Sequence, residues 1–165
     1  MGGPVSSSCG LTVATDRFEP KHVETVLFVG STTCHDKRNL RQAGGLAQLS
    51  DVLEDRETRA GSVGTGTFSL AATGLLDGRI AASASRDAME LQRQFPKVKV
   101  VCSEAFTRDG PVWTSPNISA ATGMILAMVE EDNGQYLSNV VAQSFIAYRP
   151  RVRKHPCSPL NQTHG

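Results

Sequence analysis

Covalent chemistry in this chain would need a nucleophile from Cys9, Cys34, Cys102 or Cys157, or from a hydroxyl, with His22, His35, His155 or His164 to carry the proton. The four cysteines lie far apart, with no C-x-x-C pair and no cysteine–histidine cluster at metal-ligand spacing, so no metal site is expected. They read as reduced thiols, buried or incidental. Cys34 and His35 are adjacent, but neighbours on an extended chain point to opposite faces, which makes them a poor dyad. The other chemical feature is a glycine-rich turn, Gly64-Thr-Gly66, between a brief strand at Ser62-Val63 and an apolar helix Phe68–Thr73 that closes at Gly74. Amides of Thr65, Gly66 and Thr67 at a helix start would form a small anion-attracting nest. The plainer alternative is that Gly64 and Gly66 only permit a tight turn. Ser62, Thr65, Ser83 and Ser85 offer hydroxyls nearby, yet a hydroxyl attacks only with a strong base beside it, and the sequence shows none.

The elements that must position this turn alternate between short apolar runs and helical patterns, the mark of an α/β domain with a mainly parallel sheet. Thr25–Val29 is a continuous β-branched and apolar run stopped by Gly30-Ser31, which predicts a central strand buried on both faces. Leu46, Leu49, Val52 and Leu53 recur at helical spacing between Gly45 and Arg59, as in a crossover helix covering that sheet. Further strands are expected at Ile80–Ala82 and Val98–Val101, separated by a helix Arg86–Phe95 that Pro96 ends. Asp109-Gly110 predicts a hairpin turn between Ala105–Thr107 and Val112–Thr114. Two helices follow: Ser119–Glu131 with Met124, Ile125, Met128 and Val129 inward, and Gly134–Tyr148 with Leu137, Val140, Val141 and Phe145 inward.

Composition excludes several classes. With 165 residues the chain fits one domain, and 17 basic against 16 acidic residues leave a net charge of +1, too little to steer it toward nucleic acid or an anionic membrane. No apolar stretch approaches the roughly 20 residues of a membrane-spanning helix, and no basic-then-apolar leader opens the sequence, so a cytoplasmic protein is expected. The sequons at Asn117 and Asn161 then have no bearing. Residues 1–148 are read as the domain. Residues 149–165, basic and proline-broken from Arg149 to Pro156, are read as a disordered tail.

The segment Gly61-Ser-Val-Gly-Thr-Gly-Thr-Phe-Ser-Leu-Ala-Ala-Thr-Gly-Leu-Leu-Asp-Gly-Arg79 resembles the nucleophile-elbow region of PfpI/ThiJ domains of the class I glutamine amidotransferase-like superfamily. The pattern is nearest to domains fused to AraC-type regulators, S-V-C-T-G-x-F-x-L-A-x-x-G-L-L-D-G-R. The likeness continues through Phe95-Pro-x-Val, Phe106-x-Arg-Asp-Gly-x-Val-Trp-Thr-Ser115 and Val129-Glu-Glu-Asp132. Gly2–Leu11 also resembles the family, where such a stretch follows the second strand of the sheet. The resemblance therefore implies a three-layer α/β/α sandwich with a flavodoxin-like sheet whose first strands are missing from this chain.

Against the family pattern the thiol position is Gly64, the histidine of A-T-T-H-W is Ala84, and the acid of T-A-G-I-D is Gly123. Catalysis needs an attacking atom and a group to orient it, and both positions are empty. The implied reading is a silent elbow, Gly64 and Ala84, in a non-catalytic ligand-sensing or dimerisation module that forms a homo-oligomer. It needs no cofactor, and without a helix-turn-helix module it makes no direct nucleic-acid contact. Ligands of open α/β sheets sit beyond the carboxyl ends of the strands, which selects Gly30, Ser31, Gly64, Thr65, Gly66 and Ser83 as binding positions. The competing readings are an enzyme of hydrolase, hydratase or glyoxalase type working without cysteine, and a decayed fragment of a regulator gene.

Overall fold

The computed structural model describes residues 3–6, 10–16, 23–30, 53, 58–102 and 105–147. The predicted helix over Gly45–Arg59, the Cys34-His35 pair, Ser31 and the tail beyond residue 148 lie outside these, apart from Leu53, which is helical and buried, Thr58, which is buried in a bend, and Arg59, which begins a strand rather than ending the helix. The described chain separates into two compact units, residues 1–125 and 126–165.

In the first unit, β1 (Gly3–Ser6) and β2 (Thr12–Thr15) form an antiparallel hairpin. The main sheet follows the order β3-β4-β8-β7, where β3 is Thr25–Val29, β4 Arg59–Val63, β7 Thr107–Asp109 and β8 Val112–Ser115. β3, β4 and β8 run parallel, and β7 joins β8 antiparallel through the Asp109-Gly110 turn, where Gly110 takes a φ of 63°. β5 (Ile80–Ser83) and β6 (Lys99–Cys102) make a second parallel pair. Side chains rather than a ladder attach β5 to the main sheet: Ala82 N donates to Thr114 Oγ1 at 2.7 Å, and Ile80 N to Asp109 Oδ2 at 2.9 Å. The α/β class with a mainly parallel sheet is the expected one.

Helix α1 (Gly66–Ala72) packs on β3 and β4, and α2 (Ser85–Gln94) on β5 and β6. Both obey local signals. α1 ends where the Thr73 hydroxyl donates to Leu70 O and Gly74 adopts a φ of 88°. α2 carries Asp87 in its first turn and Arg93 in its last, each suited to the helix dipole, and stops ahead of Pro96. The core between helices and sheet is built on Phe28, Phe68, Leu70, Leu76, Leu91, Val98 and Val112, all buried. Complete burial of a leucine such as Leu70 contributes about 1.5–3 kcal/mol.

The sequence misplaced the strand with two covered faces. β3 ends the main sheet among the described residues, with Leu27 40% and Val29 72% exposed, so it is not the central strand expected. β4 fills that place: Ala60, Gly61, Ser62 and Val63 are consecutively buried. Its small side chains carry little hydrophobic signal, and at neighbouring β3 the helix approaches through backbone. A β-carbon on Gly66 would collide with the carbonyl oxygen of Phe28.

Helix α3 (Ile118–Asn133) begins in the first unit, where Ala121 and Met124 are buried but Ile125 is exposed, against expectation. In the second unit α3 ends at Gly134, with a φ of 84°, and α4 (Gln135–Ala147) follows. The Ser138 hydroxyl donates to Leu126 O at 3.0 Å, tying the two helices. Met128 is buried, whereas Leu137, Val140 and Phe145 are exposed rather than inward. An apolar stripe states which face can be buried; a neighbour decides whether it is.

Candidate functional site

Parallel strands β3, β4 and β8 bring their carboxyl ends to one level. Gly30 N donates to Val63 O at 3.1 Å and Gly64 N to Ser115 O at 2.8 Å, so the three strand ends are laced together by backbone bonds. β4 then turns sharply into α1. Gly64 takes a φ of 57° in the left-handed region, and its carbonyl accepts both the amide of Thr67 at 3.2 Å and the Thr67 hydroxyl at 3.0 Å. Ser62 Oγ and Thr67 Oγ1 lie 2.9 Å apart, and both residues are buried. A strand, a left-handed residue and an immediate helix are the geometry of a nucleophile elbow. A β-carbon on Gly64 would meet only the Pro116 carbonyl oxygen at 3.9 Å, so the residue leaves open space where a side chain would project.

The elbow opens on a cavity of about 780 Å³. Val29, Gly30, Val63, Gly64 and Thr65 form its floor at the ends of β3 and β4, and Pro116 and Ile118 add apolar wall after β8. Its polar lining comes from Arg86 and Asp87 at the start of α2, and from Asn117 and Ser119 at the start of α3. Arg86 Nε lies 3.3 Å from Asp87 Oδ2, with the arginine side chain 84% exposed and the aspartate 14%. The guanidinium is therefore an exposed rim group while the carboxylate is largely buried. Asn117 caps α3, its Oδ1 accepting the Ala120 amide at 2.9 Å, and its carbonyl accepts the buried Ser115 hydroxyl at 2.7 Å.

Of the positions selected from sequence, Gly30, Gly64 and Thr65 meet in this cavity. Gly66 and Ser83 are buried and do not line it. Ser31 lies outside the described residues. Ala84 is the N-cap of α2 without a side-chain bond; its carbonyl accepts the amides of Asp87 and Ala88 and the Ser83 hydroxyl. The three-amide nest does not survive as expected. Thr67 N is spent on Gly64 O inside the turn, and Gly30 packs over the other two, for a β-carbon there would collide with Thr65 Oγ1 and stand 2.7 Å from the amide nitrogens of Thr65 and Gly66. Arg86, Asp87, Asn117 and Ser119 were missed, although the rule that selected Ser83 applies equally to the residues just after β5 and β8. Cys102 ends β6 and is exposed, so it is not a buried thiol.

No family model matches the chain. It is 32% identical over 154 residues to the HTH-type transcriptional regulator CdhR of Pseudomonas aeruginosa, covering 93% of this chain and 45% of that protein, so it spans less than half the regulator's length. Among solved structures it is similar to an AraC family transcriptional regulator from Pseudomonas putida, with a TM-score of 0.64 at 19% identity over 88% of this chain and 77% of that one. It is similar also to a ThiJ/PfpI family protein from Pseudomonas syringae, with a TM-score of 0.63 at 24% identity over 94% and 63% of the two chains. At these identities the structural likeness establishes the fold.

Proposed function

We propose that the chain is a ThiJ/PfpI-like domain serving as a non-catalytic module for ligand sensing or dimerisation, related to AraC-type regulators and working in the cytoplasm. The observation that carries this reading is Gly64: the elbow keeps its left-handed backbone and opens on a cavity, while the residue at its apex has no side chain to react. The position matching the family's histidine is Ala84, whose methyl neither donates nor accepts a proton. A cavity of this size at the carboxyl edge of a parallel sheet suits a small molecule. Such a ligand would sit over Gly64, against Gly30 and Thr65, with Arg86, Asp87, Asn117 and Ser119 reading its polar groups.

Two measurements on the purified protein test the proposal together. Native mass spectrometry should find a small molecule bound, or thermal-shift screening should find one that stabilises the fold, by about 2.7 kcal/mol at a concentration a hundredfold above its dissociation constant. Assays on dicarbonyl, amide and isonitrile substrates should show no turnover. Turnover that persists after all four cysteines are replaced would sink the non-catalytic reading and favour a hydroxyl or water mechanism.

A further inference from the structure

We infer that β5, α2 and β6 move as one body against the main sheet, pivoting at Arg79 and closing on Thr114, so that the seam between them sets the width of the elbow cavity. This deepens the ligand-sensing reading proposed above, on which its regulatory meaning rests. β3, β4, β8 and β7 are joined by backbone ladders, and so are β5 and β6, but among the described residues no ladder crosses from β5 to the main sheet. Alternate amides of β5 are turned away from β6, and at the seam they find side chains: Ala82 N donates to Thr114 Oγ1 and Ile80 N to Asp109 Oδ2. A ladder fixes register through the backbone itself, whereas a side-chain acceptor can rotate about its own bonds. The rest of the seam is apolar packing, with Ala81, Leu91 and Val98 in one cluster with Phe68 and Val112. Such contacts are non-directional and let packed layers slide by small steps.

The two ends of β5 are held differently. At its amino end Arg79 Nε donates to Leu75 O at 3.1 Å and Arg79 Nη1 to Asp109 O at 3.1 Å. Gly78 N donates to Lys97 O at 2.9 Å, and Lys97 Nζ to Asp77 Oδ2 at 3.0 Å. Near the carboxyl end the bond to the main sheet is the one from Ala82 to Thr114, while the Ser83 hydroxyl turns to Ala84 O beside it. A body pinned at one end swings most at the other, and α2 begins directly after that other end. The cavity straddles the seam: Arg86 and Asp87 ride on α2, whereas Gly64 and Thr65 follow β4 and Asn117 and Ser119 follow β8. A ligand that touches both sides would favour the closed seam, because a ligand shifts a conformational equilibrium by its differential affinity for the two states.

Native-state hydrogen exchange on the full chain, read by NMR with no ligand added, tests the seam. In the wild type the amides of Ala82, Leu91 and Val101 should share one opening equilibrium, reached more often than that of Ser62 in β4 or Leu70 in α1. Thr114→Val should speed all three together by about tenfold or more, as expected for a buried amide left without its acceptor, and leave Ser62 and Leu70 near wild type. Acceleration confined to Ala82 would mean that a single bond is lost locally, and equal acceleration of β4 and α1 would mean global destabilisation. Either result overturns the inference, as does an unchanged rate at all three amides. Wild-type amides of β5, α2 and β6 that open independently of one another overturn it without any variant. These outcomes do not decide the ligand-sensing reading, and a failure to find a ligand leaves the exchange result standing.

Discussion

Gly30 packs face to face with Thr65: a β-carbon at Gly30 would collide with Thr65 Oγ1 and crowd the amides of Thr65 and Gly66. The end of β3 and the start of α1 thus touch through backbone, and the elbow is a joint between two strands and a helix rather than a turn in one segment. Its tolerance of change differs sharply from one glycine to the next.

Gly30→Ala should be the more damaging substitution although alanine is small. The Thr65 hydroxyl in its way can rotate, but the amide nitrogens of Thr65 and Gly66 belong to the backbone and cannot swing aside, and an overpacked site of this kind costs about 1–3 kcal/mol. Urea denaturation of Gly30→Ala should show the loss. A midpoint equal to wild type would mean that β3 and α1 separate easily.

Gly64→Ala meets open space, so its cost comes from backbone conformation alone, about 1–2 kcal/mol for a side chain at a φ of 57°. Gly64→Cys should lose about as much and gain a thiol that labels faster than Cys102. Turnover on dicarbonyl, amide or isonitrile substrates should still be negligible, because the thiol has no histidine at Ala84 to orient it. Adding Ala84→His supplies that partner, and a rise in turnover only in the double variant would identify the missing pair as the reason for silence.

Thr114→Val should loosen β5. The Thr114 hydroxyl accepts the Ala82 amide at 2.7 Å and bonds Thr107 Oγ1 at 2.7 Å, and Thr114 and Ala82 are buried. Valine keeps the shape and leaves a buried amide without its acceptor, a loss of about 1–3 kcal/mol. Hydrogen exchange at Ala82 should accelerate, whereas Thr114→Ser, which retains the oxygen, should stay near wild type. Equal exchange in both variants would show that the Thr114 hydroxyl does not hold the second strand pair to the main sheet.

Thr67→Val should weaken the elbow without touching the cavity lining. It removes the hydroxyl that bridges Ser62 Oγ and Gly64 O, all at 3.0 Å or less, and should cost about 1–3 kcal/mol in thermal or urea melts. Any ligand found for the wild type should bind the folded variant with similar affinity, since Thr67 does not line the cavity. A large loss of affinity in well-folded protein would place Thr67 at the ligand.

Two features of the site were fixed by residue identity along the chain. Gly64 and Ala84 are what they are wherever the chain goes, so the absence of a thiol and an imidazole at the matching positions was legible before any fold. The order of elements around them was also legible, because Gly110, Gly74 and Pro96 act on the one or two peptide units beside them. Tertiary structure alone decided coverage. Ala60, Gly61 and Ser62 read as an unremarkable stretch until β3 and β8 flank them and α1 presses on one face, while the more hydrophobic β3 stands at an edge. In the same way Leu137, Val140 and Phe145 keep helical spacing and remain exposed, and the Thr67 amide is consumed by Gly64 O rather than left to a ligand. Periodicity and turn chemistry are properties of neighbours in sequence; burial and hydrogen-bond partners depend on residues brought together from far along the chain, and only the folded protein selects them.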